Sequence, residues 1–463
     1  MEIVRLVEEK VLSVAAKVLE VLGGGVSYQS FEVVLQEELN GLGCEILKLV
    51  LEELDREIKA DKTRKKEWEV ERKEAAKGYL TPFGMISYNR TYYRHKESGK
   101  YSYLADRKAG IEPNSRVSEN LKAQLVDSSV VMSYENATAE LSRYNSELKL
   151  SKQTVANYIK EFEVKEEPVP EEKRKVAVLY IEADEDHIKL RGKKKRSMAK
   201  LVYLHEGVFG DKRKHLKNPK HFSTVNKSPD QLWYEIAEYI ELHYELDSIE
   251  QIFLSADGAS WIKVGLDYIY DATFILDKFH LNKYIKAATA HAEKLKGRVY
   301  RGICSLDQVK VFSALSEAHL QAESGARQKR VIDTARYIKN NWEGIEAQVK
   351  HPEVGCSAEG HVSHVLSARM SSRPMAWSAA GADSMAQMRA VRANGESVKE
   401  HYLARREEAP VIVELKQAVR KELNRLQNKK PLGKVDLSNI PMFNGPDSLT
   451  RKALRGLSNC LAV

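Results

Sequence analysis

The sequence lacks several features that would place it at or beyond a membrane. No run of eighteen apolar residues occurs among its 463 residues, so a membrane-spanning helix is not expected. Its four cysteines form no CxxC pair, which argues against a zinc ribbon and against a disulfide-linked secreted domain: Cys44, Cys304, Cys356 and Cys460. The first residues are acidic and amphipathic, unlike a secretory signal. These absences favour a protein of a reducing compartment with no membrane partner.

Positive charge is present in modest excess and is clustered. The chain has 74 Lys and Arg against 66 Asp and Glu, a formal net charge of +8. Residues 56–108 hold fifteen Lys and Arg against eight acids, with six tyrosines interleaved. Basic residues mixed with aromatics suit a nucleic-acid surface, although tyrosine is equally common on a half-buried strand. The length predicts two to four domains.

Three acidic residues end or begin apolar segments. Asp184 closes the strand-like run from Lys175, and Asp257 closes the run from Ile252 and precedes a Gly turn and a helix expected to be capped by Ser260. Glu359 opens a helical pattern whose apolar positions are Val362, Val365, Leu366 and Met370. Because sites form at the carboxyl ends of parallel strands, we expect these acids to converge and bind two divalent metal ions.

Neighbouring residues leave alternatives open at this site. Asp186 competes with Asp184 for the first position, and Glu182 points the same way as Asp184 by strand alternation. His361 and His364 have the spacing of a zinc pair on one helix, but no third soft ligand is near, so a zinc site is not expected.

Three short helical patterns between residues 115 and 163 have the layout of a helix-turn-helix. The last begins after Ser151, a good N-cap, and offers Lys152, Gln153, Thr154 and Asn157 to a major groove. Any small three-helix bundle would show a similar pattern. We therefore predict DNA binding here from the residue types on the polar face.

A Pro- and charge-rich joint at residues 166–175 precedes alternating strands and helices. Strands at 176–182, 187–190 and 199–205 come first. An amphipathic helix that starts at Ser228, an N-cap followed by Pro229, comes next, and strands at 252–257 and 272–276 with a helix between them follow. This is the order of a ribonuclease-H-like core. The fold class expected is α/β, with a core interrupted by an all-helical insertion. The predicted regions are a helical region (1–77), a basic β-hairpin region (78–114), a helix-turn-helix domain (115–165), the core (172–285 and 351–405), the insertion (286–350) and a basic tail (406–463).

Four motifs resemble those of a known family: Tyr180–Ile188, Ser255–Lys263, Leu276–Lys283 and Gly355–Ser378. Together they are similar to the ISLre-type insertion-sequence transposases, relatives of the mutator-like elements, and the resemblance extends over most of the chain. It implies a DDE transposase in which Asp184, Asp257 and Glu359 bind metal. His280 matches a histidine that the family places after the strand following the second acid.

The resemblance also implies partners and a mechanism. Two Mg²⁺ or Mn²⁺ ions would activate water, then a 3′-hydroxyl, and stabilise the leaving oxygen. The partner would be double-stranded DNA of element ends and target, bound by a dimer in the bacterial cytoplasm, at the nucleoid. Residues expected to meet phosphates are Lys193, Lys194, Lys195, Arg196, Arg369 and Arg373. The alternatives are a DNA-binding regulator with an inactive core and a structure-selective nuclease.

Overall fold

A computed structural model describes residues 2–25, 27–211 and 214–404. The predicted basic tail and Cys460 lie outside these residues. Two compact units divide the described chain: an N-terminal unit up to Leu121 with Ser142–Leu148, and a sheet unit with Lys122–Leu141 and the chain from Lys149 onward. Within the described ranges, no helix is both long and apolar enough to cross a bilayer.

The N-terminal unit combines long helices with a three-stranded antiparallel sheet, in the order β1-β2-β3. Its core contains Leu51, Tyr79, Ile86, Tyr88 and Ile111. The elements are α1 (Glu2–Leu22), α2 (Tyr28–Ala60), α3 (Lys62–Glu67), β1 (Trp68–Thr81), β2 (Gly84–His95), β3 (Tyr101–Tyr103) and α4 (Leu104–Lys108).

The expectation that residues 1–77 are helical throughout is wrong at its C-terminal end. Helix ends at Glu67, and β1 pairs antiparallel with β2 from Trp68, opposite His95. The charged residues 71–74 therefore lie exposed on a strand. Their helix propensity is overridden by pairing with the tyrosine-rich β2, since strand formation depends on neighbours that a local pattern does not include. The alternating sequence pattern of residues 79–94 predicts one continuous strand, but a turn at Pro82–Phe83 splits it into the end of β1 and β2.

Helices α5 (Glu119–Ser129), α6 (Tyr134–Tyr144) and α7 (Lys152–Lys160) match the three short helical patterns, and Ser151 caps α7. The remaining elements up to residue 276 are β4 (Val178–Ile188), β5 (Ser197–His205), β6 (Val208–Phe209), β7 (His215–Leu216), β8 (Lys220–Thr224), α8 (Pro229–His243), a 3₁₀ turn (Leu246–Ser248), β9 (Gln251–Ala256), α9 (Ser260–Lys263), α10 (Gly265–Tyr268) and β10 (Ala272–Leu276).

After β10 the described chain is helical. The elements are α11 (Lys278–Thr289), α12 (Glu293–Cys304), α13 (Gln308–Leu320), α14 (Gly325–Asn340), α15 (Trp342–Lys350), α16 (Ala358–Val362), a π turn (Ser363–Ser367), α17 (Ala368–Met370), α18 (Ala379–Ala393) and α19 (Val398–Ala404). Helices α11 to α15 share a core of their own that includes Ile285, Val299, Leu315 and Ile338.

The sheet unit is built on a central mixed sheet in the order β10-β9-β4-β5-β8. β5 runs antiparallel to both β4 and β8, whereas β4, β9 and β10 are parallel to one another. One apolar core joins the sheet to α8 and α9 through residues such as Ile181, Leu254 and Trp233. Another joins β4 and β5 to helices α5 to α7 and α16 to α19. The fold is therefore mixed α/β with many helices.

The antiparallel strands differ from those expected. His187 and Ile188 belong to β4, which pairs with β5 as far as Ser197, so the predicted strand 187–190 does not exist as a separate partner. The third antiparallel strand is instead β8, which follows the basic segment around Lys214. The strands predicted at 252–257, 199–205 and 272–276 are present in β9, β5 and β10.

Candidate active site

Asp184 and Asp257 lie side by side, because the adjacent parallel strands β4 and β9 are in register up to the residues that precede them. Ala183 of β4 is the register partner of Ala256, the last residue of β9, and Asp184 and Asp257 are the residues that follow them. Leu276 of β10 is also paired with Ala256, and the Asp277 amide donates to the Ala256 carbonyl at 2.8 Å. The sheet register therefore brings three carboxylates to one edge. Asp184 is not a strand end, however, because β4 continues beyond it alongside β5.

Asp257 lies in a tight turn that requires glycine. Its carboxylate accepts a hydrogen bond from the Ala259 amide at 2.9 Å, and its carbonyl accepts one from the Tyr337 hydroxyl at 2.8 Å. Gly258 has φ +87°, and a Cβ there would lie 2.4 Å from the Asn341 Oδ1. The following helix is not capped by Ser260, as the sequence suggested, because Ala259 is the residue that precedes α9.

Glu359 lies in the first turn of α16. Its side chain is 61% exposed, whereas the apolar positions predicted for this helix are all buried. A π turn over Ser363–Ser367 interrupts the helix, and such turns are frequent at functional sites. The Arg389 guanidinium binds the carbonyls of His364 and Val365 in that turn. The segment that bears Glu359 is therefore held by contacts beyond its own helix.

His280 connects the acids of the sheet with Glu359. Asp277 caps α11 by accepting from the amides of Phe279 and His280, and its Oδ2 lies 2.7 Å from His280 Nδ1. The other imidazole nitrogen, Nε2, lies 3.7 Å from Glu359 Oε2. The hydrogen bond with Asp277 raises the pKa of His280, and the nearby Asp184 and Asp257 add to the rise. The imidazole thus tends to be a cation among carboxylates.

The negative charge of the Asp184 carboxylate is only partly compensated by its surroundings. Burial, together with the charges of Asp257 and Glu359, raises the pKa of its carboxyl to about 7, although the Glu185 amide and His280 act to lower it. Asp184 is 8% exposed, so water screens this repulsion poorly. A bound cation would remove the penalty. Strongly perturbed carboxyls of this kind occur preferentially at functional sites.

The two competing acids of β4 have different surroundings. Both oxygens of Glu182 are occupied, by His205 on one side and by Tyr203 and Ser357 on the other. These bonds lower the pKa of Glu182 although burial acts to raise it. Among the described residues, Asp186 Oδ2 has no hydrogen-bond partner although it is buried. Glu182 is therefore not a free ligand, whereas Asp186 still has an oxygen to offer.

These residues fit hard divalent cations by the chemistry of their donors. Asp184, Asp257 and Glu359 supply carboxylate oxygens, and the orphaned Asp186 oxygen would be satisfied by a cation or by its bound water. In the part of the chain that the structure describes, no three His, Cys, Asp or Glu side chains are already gathered closely enough to form a metal site. Exposed Glu359 would have to turn toward the sheet edge for all three carboxylates to share ions.

The residues predicted to read DNA on α7 are presented to solvent. Lys152, Gln153 and Asn157 are exposed, whereas Val155 and Ile159 on the opposite side are fully buried. The Gln153 amide donates to Asn157 at 3.2 Å, and Thr154 is engaged in the Ser151 cap. The polar face of α7 is therefore exposed to solvent, with the Lys152 ammonium 3.5 Å from the Glu135 carboxylate.

The predicted phosphate contacts fall into two groups. Lys193, Lys194, Lys195 and Arg196 are exposed in the turn between β4 and β5, on the side of the sheet to which β4 runs past Asp184. Arg373 is exposed as well.

Arg369 belongs to the other group. It is 8% exposed, donates to the Ser129 carbonyl at 2.9 Å and stacks against Tyr134 and Trp377. Its guanidinium already has partners, so the expectation that it meets a phosphate finds no support. In the basic region of residues 56–108, Lys77 and Arg90 are similarly occupied, by Asp106.

Sequence reasoning missed two contributors to this site. Asp277 was visible as the acid closing an apolar strand before a helix, the same signal that identified Asp257, but its bond to His280 depends on the helix cap. The contact between Glu182 and Ser357 has no local signal, because 175 positions separate the two residues.

The fold and site define a mixed α/β protein with a carboxylate cluster and one histidine at the edge of its central sheet. The chain belongs to the uncharacterised protein family UPF0236, whose model matches residues 22–407. The UPF0236 protein TTE2489 of Caldanaerobacter subterraneus subsp. tengcongensis is 39% identical over 399 residues, 85% of each chain.

Two further relatives also carry the name UPF0236. Another protein of that organism, whose name carries eleven locus designations, is 39% identical over 82% of this chain and 81% of its own. The UPF0236 protein in the vanSb 3′ region of Streptococcus gallolyticus is 27% identical over 78% of this chain and 83% of its own. The family thus has many paralogues in one genome, which is typical of mobile-element proteins.

Proposed function

We propose that the chain is a DDE transposase of an insertion sequence. The observation that carries the proposal is the placement of Asp184, on β4, beside Asp257, which directly follows the adjacent parallel strand β9, with His280 3.7 Å from Glu359. Asp257 and Glu359, which are distant from Asp184 in the sequence, both raise the pKa of the Asp184 carboxyl. Such a group of carboxylates suits metal-dependent phosphoryl transfer, in which two ions bind the attacking and leaving oxygens.

The strand topology supports a ribonuclease-H-like core. If the five strands of the sheet are numbered 1 to 5 along the chain, their spatial order is 5-4-1-2-3. Only strand 2, which is β5, runs antiparallel to the others. This agrees with the order expected from the sequence, with antiparallel strands first and parallel strands later. Helices α11 to α15 lie in the chain between the fifth strand and Glu359, as the predicted insertion requires.

The genomic pattern of relatives supports mobility. One relative bears eleven locus designations within a single genome, as expected for a sequence that copies itself or moves. A DNA-binding regulator or a structure-selective nuclease has no such reason to be repeated. The repetition of these relatives favours the transposase over both alternatives for this chain.

The residues of the site have distinct roles in the proposed mechanism. Asp184, Asp257 and Glu359 would hold two Mg²⁺ or Mn²⁺ ions, which supply Lewis-acid activation when bound. His280, held by Asp277, directs Nε2 to the same place and would contact the scissile phosphate as a cation. Asp257 is kept in place by the Ala259 amide and the Gly258 turn. No covalent link between protein and DNA is required.

Double-stranded DNA is the proposed substrate and partner. The exposed face of α7 would read bases through Gln153 and Asn157, whose amides suit adenine edges. The turn at Lys193–Arg196 would bind the phosphate backbone near the cutting site. We further propose that the protein acts as a dimer in the bacterial cytoplasm, since both element ends must be cut together.

A cleavage and strand-transfer assay tests the proposal. Asp257→Asn, Asp184→Asn and Glu359→Gln should each abolish Mg²⁺-dependent cutting of element-end DNA and leave DNA binding largely intact. Asp247→Asn is the matched control, because Asp247 is exposed and precedes β9 at the opposite edge of the sheet. Cutting by Asp257→Asn at the wild-type rate would overturn the site. Binding without cutting by the wild type would indicate a regulator, and cutting without strand transfer a nuclease.

A further inference from the structure

A buried hydrogen-bond cluster lies directly beside the proposed metal site. Its centre is Glu182, which is 4% exposed and lies two residues before Asp184 on the same face of β4. Glu182 Oε2 accepts from the Tyr203 hydroxyl at 2.7 Å, and Oε1 lies 3.1 Å from His205 Nε2. Tyr203 is its register partner on β5. A buried carboxylate is tolerated here because each oxygen is satisfied.

The same carboxylate also binds the chain that leads into Glu359. The Ser357 amide donates to Glu182 Oε2, and the Ser357 hydroxyl lies 3.2 Å from that oxygen and 2.8 Å from the Tyr203 hydroxyl. Ser357 precedes α16 at the N-cap position, where a serine hydroxyl ordinarily accepts from its own helix. Here the hydroxyl is directed at the sheet instead. The N-terminus of α16 is therefore joined to β4.

The spacing of the two segments makes this contact relevant to the site. Glu182 and Asp184 are two residues apart on β4, and Ser357 and Glu359 are two residues apart on the incoming segment. Holding Ser357 against Glu182 therefore keeps the backbone that bears Glu359 close to β4, from where its exposed side chain can turn toward Asp184. Among the described residues, no hydrogen bond joins the Glu359 side chain to the sheet. Its position depends on this contact, on His280 at 3.7 Å and on the Arg389 contacts further along the helix.

We propose that Glu182 is a positioning residue, whose carboxylate holds Ser357 on β4 and thereby places Glu359 beside Asp184. The assignment rests on the proposed function, since it gives Glu182 a purpose only if the three acids act together. Because both of its oxygens are already hydrogen-bonded, Glu182 would bind neither the ions nor the substrate. It acts on the third acid through the backbone of the segment that bears it.

Hydrogen exchange measured by mass spectrometry on the full-length, metal-free protein tests the contact directly. In Glu182→Gln, which loses the charge and one acceptor oxygen, exchange at the Ser357 amide should be faster by roughly ten- to a hundredfold. Glu206→Gln is the matched control. The Glu206 side chain is 4% exposed and bonded to Arg174, but it follows β5 at the opposite edge of the sheet from Asp184. It should leave Ser357 exchange unchanged.

Calorimetric titration with Mn²⁺ alone tests whether the contact matters to the site. Loss of a residue that orients a ligand typically weakens metal affinity by about 10- to 100-fold, and we expect this for Glu182→Gln but not for Glu206→Gln. If Glu182→Gln fails to fold, Tyr203→Phe is the second variant, because it removes only the hydroxyl that donates to Glu182. It should likewise speed Ser357 exchange and weaken Mn²⁺ binding.

The outcomes separate this proposal from the proposed function. Unchanged Ser357 exchange in Glu182→Gln, equally faster exchange in Glu206→Gln, or faster exchange with unaltered Mn²⁺ affinity would each overturn the positioning role. A wild-type protein that neither cuts DNA nor binds Mn²⁺ refutes the proposed function instead. In that case the exchange comparison alone still decides whether Glu182 holds the segment.

Discussion

Replacing Asp184 with asparagine should stabilise the metal-free protein while destroying its activity. The Asp184 pKa is raised from 3.8 to about 7 by burial and by the charges of Asp257 and Glu359. The folded protein therefore binds the proton more tightly than the unfolded chain does. Wild-type stability should fall as the pH rises from about 4 to about 7, and the loss is complete above the folded-state pKa. Asparagine cannot ionise and avoids this loss.

The magnitude follows from the size of the shift. About three pKa units correspond to roughly 4 kcal/mol at pH 8, as an upper limit. The advantage of Asp184→Asn over wild type should grow by about 2–3 kcal/mol between pH 5 and pH 8, because part of the penalty is already present at pH 5. Burial to 8% exposure leaves little water to screen the effect.

Urea unfolding in EDTA at pH 5 and pH 8 measures this difference. Asp383→Asn is the control, because the Asp383 carboxylate accepts from the Thr224 hydroxyl and the amides of Val225 and Asn226. Its loss should cost about 1–3 kcal/mol. Adding Mn²⁺ should stabilise wild type, by about 2.7 kcal/mol at one hundred times the dissociation constant, and should affect Asp184→Asn much less. An Asp184→Asn protein that is less stable than wild type at pH 8 would refute the reasoning.

Three further predictions concern DNA and the Asp257 turn. Replacing Lys193, Lys194 and Lys195 with glutamine should weaken DNA binding equally for all sequences and reduce the salt slope by up to about 3, measured by fluorescence anisotropy; an unchanged slope would exclude this turn from the interface. Asn157→Ala should reduce discrimination between element-end and random DNA by about 1–3 kcal/mol, and equal weakening on both would deny base reading by α7. Gly258→Ala should lower the melting temperature and cutting together, because its φ is +87° and the added Cβ would meet Asn341; a wild-type melting temperature would contradict this.

Local patterns predicted the parts of the fold whose causes are local. Ser228 with Pro229 indicated the start of α8, and the structure shows a capping box there. The apolar run at Ala272–Leu276 is a strand with those bounds. Glu359 opens a helix whose predicted apolar face is buried. Each of these elements is determined by residues within one or two turns of it.

Pairing between distant segments explains what was missed. β1 begins at Trp68 because β2 lies beside it, although residues 68–74 have the composition of a charged helix. β4 extends past Asp184 because β5 continues to pair with it. Arg369 looks like a phosphate ligand in the sequence, but Tyr134 and Trp377 enclose it. The roles of Glu182 and Asp277 likewise depend on contacts that no sequence spacing reveals.

Anomalous diffraction from crystals of the protein soaked in Mn²⁺ tests most directly whether the three acids act together. We expect two peaks about 3.5–4 Å apart at the edge of the sheet, with oxygens of Asp184, Asp257 and Glu359 as ligands. Peaks absent from this edge, or ions bound there while Glu359 remains turned to solvent, would contradict it.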